Sequence, residues 1–263
     1  KIVKIAKKYN LWLIEDSCDA LGSTYNKQLV GTFGDISTFS FYPAHQITMG
    51  EGGAVITNNP LIHRSLRQFR DWGRDCWCDT GKDDTCGLRF KWKLGDLPYG
   101  YDHKFIYSQI GFNLKLTDFQ AAIGVAQLKK LPNFIAKRRN NYQKLYEFFQ
   151  KYNKYFLLMK KIPEESPSYF GFPLIVKDNA PFTRNQIVEY LENHSVGTRN
   201  VFSGNLLRHP AYKNIKCKIT GRLENADIIM NNAFWVGVFP GIDEQRLRYM
   251  IKTIKQFLQQ YTI

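Results

Sequence analysis

The sequence lacks long hydrophobic runs. No stretch approaches the roughly 20 apolar residues that a membrane-spanning helix requires, and the opening KIVKIAKKYNLWLIEDS carries no signal-peptide cleavage pattern. Internal repeats, low-complexity segments and flexible linkers are also missing. Hydrophobic residues nevertheless make up 44% and aromatic residues 15% of the 263 residues, which excludes a disordered chain. We therefore expect a globular, cytoplasmic protein.

Acidic residues are scarce relative to basic ones. The chain has 23 Asp and Glu against 37 Lys and Arg, and its formal net charge is +14. A basic surface can indicate nucleic-acid binding, but here the lysines are dispersed over predicted helix faces and no nucleic-acid-binding module is present. A small anionic substrate or an acidic protein partner explains the charge equally well.

Cysteine is also scarce, and four of the five cysteines form a group that leaves out Cys217. A disulfide framework is disfavoured, because the chain is long and has no mark of secretion. A structural zinc site is possible, although its usual pairs are spaced C-x(2–4)-C, whereas the closest pair here is C-x-C. A [2Fe–2S] cluster held by four cysteines is the other option. The spacing alone leaves zinc and iron–sulfur open. The group consists of Cys18, Cys76, Cys78 and Cys86.

The order of predicted elements indicates an α/β protein with two domains. An amphipathic helix and a short buried strand open the chain, and further strands follow. We expect Asn59 to cap a helix that begins at Pro60, and Thr117 or Asp118 to cap a later one. We expect residues 1–130 to form the C-terminal portion of a large domain that contains the cysteine loop. Residues 131–154 are predicted as a connecting helix, and residues 155–263 as a smaller C-terminal α+β domain.

Two polar side chains stand where such a sheet would hold a ligand. Asp16 follows the first predicted strand, and its carboxylate could pair with a protonated pyridine nitrogen and make that ring a better electron sink. Taken alone, Asp16 also suits a loop cap. His45 lies in the predicted loop of TFSFYPAHQITMGEGGAVIT, between two strands.

Three segments of the chain resemble one enzyme family. IEDSCDALGS, GDISTFSFYPAHQITMGEGGAV and GFNLKLTDFQAAIGVAQL are similar to consecutive blocks of the DegT/DnrJ/EryC1 sugar aminotransferases and dehydratases, which are fold type I pyridoxal-phosphate enzymes. The resemblance implies an aspartate-aminotransferase-like fold: a partial large domain with a mixed, mostly parallel sheet, followed by the smaller domain. It also leads us to expect that the N-terminal part of the large domain is absent from this sequence.

The residue at position 45 separates this chain from ordinary members of that family. Those members keep a lysine there, which holds the cofactor as an imine, whereas this chain has His45. Imidazole cannot form a stable imine, but it remains a competent general base. The substitution resembles that of the family's sugar 3-dehydratases. It implies pyridoxamine 5′-phosphate held without a covalent bond, and His45 as the catalytic base.

The resemblance assigns roles to further residues. Ser40 matches a serine that bonds the cofactor phosphate, and Asn113 matches an asparagine that reaches that phosphate from a neighbouring subunit, which implies a homodimer. Asp19 and Tyr42 match catalytic positions of the active site. Phe170 matches a residue that lines the cofactor site. Asp16 takes the pyridine-nitrogen role.

The spacing of the cysteines points to one subgroup of the family. C-x57-C-x-C-x7-C, from Cys18 to Cys86, resembles the iron–sulfur 3-dehydratases of the family. It implies a [2Fe–2S] cluster, CDP-4-keto-6-deoxy-D-glucose as substrate in 3,6-dideoxyhexose and lipopolysaccharide O-antigen synthesis, and an NADH-dependent flavin and iron–sulfur reductase as partner. A GDP-4-keto-6-deoxymannose 3-dehydratase, which has the histidine without these cysteines, is one alternative. An inactive, metal-stabilised fragment of the fold is another.

Overall fold

The computed structural model describes residues 1–79 and 81–261. The helices are α1 (Ile2–Lys8), α2 (Pro60–Arg70), α3 (Asp118–Leu128), α4 (Leu131–Gln150), α5 (Arg184–Asn193), α6 (Glu224–Asn232) and α7 (Glu244–Gln259). The strands are β1 (Ile14–Asp16), β2 (Thr24–Tyr25), β3 (Gln28–Leu29), β4 (Ile36–Ser40), β5 (Gly53–Ile56), β6 (Phe156–Leu158), β7 (Glu165–Ser166), β8 (Gly171–Val176), β9 (Thr198–Asn200) and β10 (Ala233–Gly237). Within the described ranges, no helix is both long and apolar enough to pass through a bilayer.

The chain divides into two compact units. The first comprises Lys1–Cys18 and Leu29–Lys129, and the second comprises Asp19–Gln28 and Lys130–Ile263. Helix α4, which covers most of the predicted connecting helix, belongs to the second unit.

The sheet of the first unit has the strand order β1-β4-β5. β1 and β4 are parallel, with Asp16 opposite Thr38, whereas β4 and β5 are antiparallel. The expectation of a mixed sheet is therefore confirmed, but the expectation that it is mostly parallel is wrong for these three strands. The physical reason is the connection: the chain returns from β4 to β5 through loop 41–52 with no crossover helix, and such a return gives an antiparallel pair.

Both helix caps predicted in the first unit are present. The side chain of Asn59 accepts hydrogen bonds from the backbone of Leu61 at 2.9 Å and Ile62 at 3.3 Å, one residue before the proline that opens α2. Thr117, and not Asp118, caps α3 in a reciprocal capping box with Gln120. Between these helices the chain is irregular, and isolated bridges hold it, such as Arg74 to Tyr107.

The second unit contains the main hydrophobic core. Its sheet, β6-β8-β10-β9, is antiparallel throughout. Side chains alternate along β8, so that every second one is buried on the helix-covered face. The fully buried residues of this core include Leu145, Phe149, Phe172, Leu174, Ile187, Leu191, Phe234, Ile254 and Leu258.

A short segment from early in the sequence completes the second unit. β2 pairs antiparallel with β7, with Thr24 opposite Ser166. The hydroxyl of Ser23 accepts a hydrogen bond from the backbone N–H of Ser168 at 2.8 Å. These bonds explain why Asp19–Gln28 belongs to the second unit although its neighbours in sequence belong to the first.

The core of the second unit supplies a stability test. Phe149 is completely buried and packs against Phe156 and Phe172. Replacing it in the variant Phe149→Ala should lower the free energy of unfolding by about 3–5 kcal/mol, because the substitution leaves a cavity. Phe239→Ala removes a side chain that is 53% exposed and should cost well under ~1 kcal/mol. Urea unfolding followed by circular dichroism measures both; equal losses would contradict this description of the core.

Candidate active site

Asp16 and Cys18 lie together at the carboxyl end of β1. Asp16 Oδ1 accepts hydrogen bonds from the backbone N–H of Cys18 at 3.2 Å and from the Thr38 hydroxyl at 3.3 Å. The Cys18 Sγ is 3.6 Å from Thr38 Oγ1. Hydrogen bonds from the side chain and backbone of Cys18 outweigh the effect of burial and lower the pKa of Asp16. The carboxylate is therefore ionised at neutral pH, as a strong acceptor for a cationic N–H group must be. Asp16 is also exposed to solvent.

Loop 41–52 is fixed at its base. The backbone N–H of Phe41 donates to Gly52 O at 2.8 Å, and that of Met49 donates to Phe41 O at 3.0 Å. Met49 is buried, and a Cβ added to Gly124 of α3 would lie 2.9 Å from its Cγ, so that a larger residue there would displace the Met49 side chain. Gly50 has a φ of +82°, which glycine adopts without strain.

Ser40, Tyr42 and His45 come together at the end of β4. The backbone N–H of His45 donates to Tyr42 O at 3.0 Å, which forms a tight turn. The ring centroids of these two residues are 5.6 Å apart in an edge-to-face arrangement. Ser40 Oγ accepts a hydrogen bond from the Tyr42 N–H at 3.2 Å. Because β1 and β4 are parallel and in register at Asp16 and Thr38, these groups share one edge of the sheet with Asp16.

Asp19 and Phe170 belong to the second unit, where Arg138 links them. Arg138 is buried, and its Nη1 donates to Tyr169 O at 3.0 Å and to Phe170 O at 3.3 Å. Burial lowers the pKa of Arg138, and the negative charge of Asp19 opposes this effect. The ring of Phe170 packs against Trp235 with centroids 5.1 Å apart and lines a cavity of about 870 Å³.

Asn113 occupies an exposed position in the first unit. It forms an isolated antiparallel bridge with Asp71, and its Oδ1 accepts a hydrogen bond from Lys115 Nζ at 3.2 Å. Its neighbours Phe112 and Leu114 are 63% and 67% exposed. An amide flanked by exposed apolar side chains suits contact with another molecule.

Three of the four grouped cysteines line one small cavity in the first unit. The lining includes Cys76, Cys78, Cys86 and His103, and Cys18 is absent from it among the described residues. The Thr85 hydroxyl donates to the Cys78 Sγ at 3.0 Å. This hydrogen bond is the main reason that the pKa of Cys78 is lowered, whereas burial raises the pKa of Cys76.

The side chains that line this cavity suit a metal centre, but the cavity is too small for an iron–sulfur cluster. Thiols that line one cavity, one of them with a lowered pKa, are the donor type that a soft metal or an iron–sulfur cluster takes. The cavity volume is about 10 Å³, which is room for one water molecule. Within residues 1–79 and 81–261, no group of three or more histidine, cysteine or acidic side chains is already arranged to hold a metal ion. A cluster bound here would therefore require the loop to widen.

Sequence reasoning missed a buried network beside this cavity. Asp75 accepts hydrogen bonds from Arg64 Nη2 at 3.0 Å and Gln68 Nε2 at 2.6 Å, and its Oδ2 lies 2.8 Å from His103 Nε2. His103 is 1% exposed, and its ring stacks on Trp92 with centroids 4.8 Å apart. A buried aspartate and histidine separated by 28 residues leave no local sequence signal. The alternation Asp-Cys-Trp-Cys at 75–78 was the one available clue.

Comparison with known proteins identifies the family of this chain. The family model described as the DegT/DnrJ/EryC1/StrS aminotransferase family matches residues 1–255. The chain belongs to this family, and the resemblance found in its sequence is confirmed.

Two curated relatives are similar over nearly the whole chain. One is the lipopolysaccharide biosynthesis protein RfbH of Salmonella typhimurium, which is 49% identical over 98% of this chain and 59% of the relative. The other is the dTDP-4-dehydro-2,6-dideoxy-D-glucose 3-dehydratase of Saccharopolyspora spinosa, 47% identical over 98% of this chain and 56% of the relative. The chain thus spans less than three fifths of the length of either relative.

A solved structure confirms the fold. The E. coli GDP-4-keto-6-deoxy-D-mannose 3-dehydratase with bound hydrated PLP superposes with a TM-score of 0.80 at 29% identity. The match covers 96% of this chain and 62% of that one. The aminotransferase fold expected from the sequence is therefore present.

The thiol environment gives a test of the cysteine cavity. In the variant Thr85→Val the hydroxyl that donates to Cys78 is lost, so the pKa of Cys78 should rise and its thiolate should require a higher pH. Ultraviolet thiolate absorbance and the pH dependence of alkylation measure the change. Thr117→Val, which removes a hydroxyl at the cap of α3, should leave the thiol titration as it is. An unchanged titration in Thr85→Val would show that this hydrogen bond does not stabilise the thiolate.

Proposed function

We propose that the chain is part of a pyridoxamine-phosphate-dependent sugar-nucleotide 3-dehydratase, which removes the C3 hydroxyl of CDP-4-keto-6-deoxy-D-glucose. The observation that carries the proposal is His45, an imidazole in the loop where ordinary family members keep the cofactor-binding lysine. The names of the two similar relatives support a role in deoxysugar or lipopolysaccharide synthesis.

The edge of the first sheet suits the cofactor. When bound, pyridoxamine 5′-phosphate supplies an amine for the sugar's C4 ketone and a ring that accepts electron density. Asp16, ionised because its pKa is lowered, would accept a hydrogen bond from the protonated ring nitrogen of the bound cofactor and favour that form. The Ser40 hydroxyl at the end of β4 would hold the phosphate. Asp19 and Phe170 keep, in this proposal, the roles that the family resemblance assigns to them.

His45 moves the proton on which the reaction depends. Its backbone is held by the bond to Tyr42 O and its ring stands edge-to-face with that of Tyr42. A neutral imidazole accepts a proton at a ring nitrogen at physiological pH, and it releases the proton later without having formed a covalent bond. His45 would take the proton from the C4′ carbon of the bound cofactor, and the electron pair left behind would expel the C3 hydroxyl of the sugar. The Tyr42 ring would keep the imidazole in place.

Four cysteines would hold an iron–sulfur cluster in this proposal. Cys18, Cys76, Cys78 and Cys86 supply four thiolates, and a [2Fe–2S] cluster supplies electrons singly, as completing the deoxygenation requires. Support comes from the three cysteines on one cavity and from Cys18 two residues after Asp16. An NADH-dependent flavin and iron–sulfur reductase is the proposed electron donor, and the net charge of +14 would speed its docking.

Three nucleotides are candidates for the carrier of the sugar substrate. The names of the relatives include a dTDP sugar and a GDP sugar. The GDP-4-keto-6-deoxy-D-mannose 3-dehydratase of Escherichia coli O55:H7 is 31% identical over 90% of this chain. This similarity favours a GDP-4-keto-6-deoxymannose 3-dehydratase activity as the second candidate. Assays of the full-length protein with CDP, dTDP and GDP 4-keto-6-deoxy sugars decide between them. Turnover of the CDP sugar alone is the predicted result, and no turnover of any would favour an inactive protein.

Replacement of the proposed base is the main test of the mechanism. His45→Gln keeps a polar side chain of similar size but cannot accept the proton, so the rate of C3 dehydration should fall by about 10²–10⁴-fold. Binding of pyridoxamine phosphate should persist, because the imidazole forms no covalent bond. Substrate loss is measured by chromatography with the reductase and NADH present. His194→Gln, at the exposed end of α5, serves as the control. A rate in His45→Gln equal to that of the wild type would refute the assigned role.

We also propose that two copies assemble into a homodimer through the surface around Asn113. Ile110 is 94% exposed, and Phe112 and Leu114 are also exposed, an apolar strip that suits burial against a second copy. Such a contact would carry Asn113 to the neighbouring cofactor site.

The strip can be tested without any enzyme assay. Ile110→Glu places a charge in the proposed interface and should shift the sedimentation coefficient from dimer to monomer in analytical ultracentrifugation. Ile215→Glu, at a residue 52% exposed in the second unit, should leave the dimer intact. A monomeric wild-type protein would contradict the assembly.

A further inference from the structure

The segment Asp75–Cys78 presents two different faces. It enters in extended form, since Arg74 bridges Tyr107 antiparallel and the Asp75 N–H donates to Ile106 O at 2.8 Å. Alternate side chains of an extended segment point to opposite sides. Asp75 and Trp77 accordingly contact His103, whereas Cys76 and Cys78 line the cavity.

His103 is the fixed point of the first face. Its Nε2 is 2.8 Å from Asp75 Oδ2, Trp92 stacks on its ring, and the Trp77 ring meets its ring edge-to-face with centroids 5.2 Å apart. Arg64 closes the network, because its guanidinium lies 4.8 Å above the Trp77 ring and also bonds Asp75. Each residue of the first face is therefore held by a partner outside the cysteine segment.

The hydrogen bonds of Asp75 make it a permanent anchor. Asp75 is a buried acceptor with three hydrogen-bonding partners, Arg64, Gln68 and His103. A buried carboxylate that loses a donor is costly, so Asp75 keeps His103 in one orientation.

We propose that His103, oriented by Asp75 and enclosed by Trp77 and Trp92, is the positioning residue that holds Cys76 and Cys78 side by side on the cavity face. The C-x-C spacing then has a physical reason: the intervening Trp77 packs on His103 and anchors the segment, while both thiols line the cavity, of which His103 is also a lining residue. His103 has the part that outer partners of metal ligands commonly have, since they orient the ligands without binding the metal. This inference rests on the proposed function only in taking these thiols as ligands.

A thiol-pair probe tests the proposal without any cluster. Phenylarsine oxide condenses with two neighbouring thiols, forming two As–S bonds and releasing one water molecule. Wild-type, metal-free protein should capture one equivalent, and Cys76→Ser should abolish this capture. His103→Leu should weaken it by about 10–100-fold. His103→Gln, which keeps a donor for Asp75, should restore most of the affinity, and His63→Gln on the exposed face of α2 should change nothing.

A second variant and an iron measurement test the same anchor. If His103→Leu fails to fold, Trp77→Leu tests the same anchor at a half-buried position and should show the same loss. After iron reconstitution, His103→Leu should retain less iron and give an altered visible circular dichroism spectrum, with cofactor binding unchanged. Arsenical capture in both leucine variants at wild-type affinity, or no capture by the wild type, would overturn the proposal. A protein without iron or turnover that still shows the predicted capture pattern would count against the proposed function only.

Discussion

The parallel pairing of β1 with β4 is the constraint on which the candidate site depends. Because Asp16 stands opposite Thr38, both strands end at the same edge, and the Thr38 hydroxyl contacts both Asp16 and Cys18. A shift of one residue would turn every side chain of β1 to the other face. The register thus brings together a carboxylate of lowered pKa, a cysteine and the loop that carries His45.

Irregular structure in the first unit is held by polar contacts where a hydrophobic core is thin. The segment between α2 and α3 contains no regular helix or sheet within the described residues beyond a 3₁₀ turn at His103–Phe105. Arg89 binds Asp102 through two hydrogen bonds of 2.9 and 2.6 Å, and Asp75 gathers Arg64, Gln68 and His103. Such bonds are directional, so they can fix a cysteine loop more narrowly than apolar packing can.

The sequence predicted those features that local chemistry decides. The caps Asn59 and Thr117, the opening of α2 at Pro60 and the loop around His45 follow from short-range rules on hydrogen bonding and φ. The family and its fold also followed from contiguous motifs. Features set by distant partners could not be predicted in this way. The pairing of Thr24 with Ser166, the Asp75–His103 contact and the antiparallel turn from β4 to β5 each depend on residues whose proximity no local pattern records.

The central claim is that an imidazole in place of an amine leaves the cofactor without a covalent bond to the chain. Borohydride treatment of the cofactor-loaded, full-length protein, followed by denaturing intact-mass analysis, tests it directly. The account predicts the mass of the unmodified polypeptide, with all the cofactor released on denaturation. A mass increased by one reduced cofactor, attached to a lysine of the chain, would contradict it.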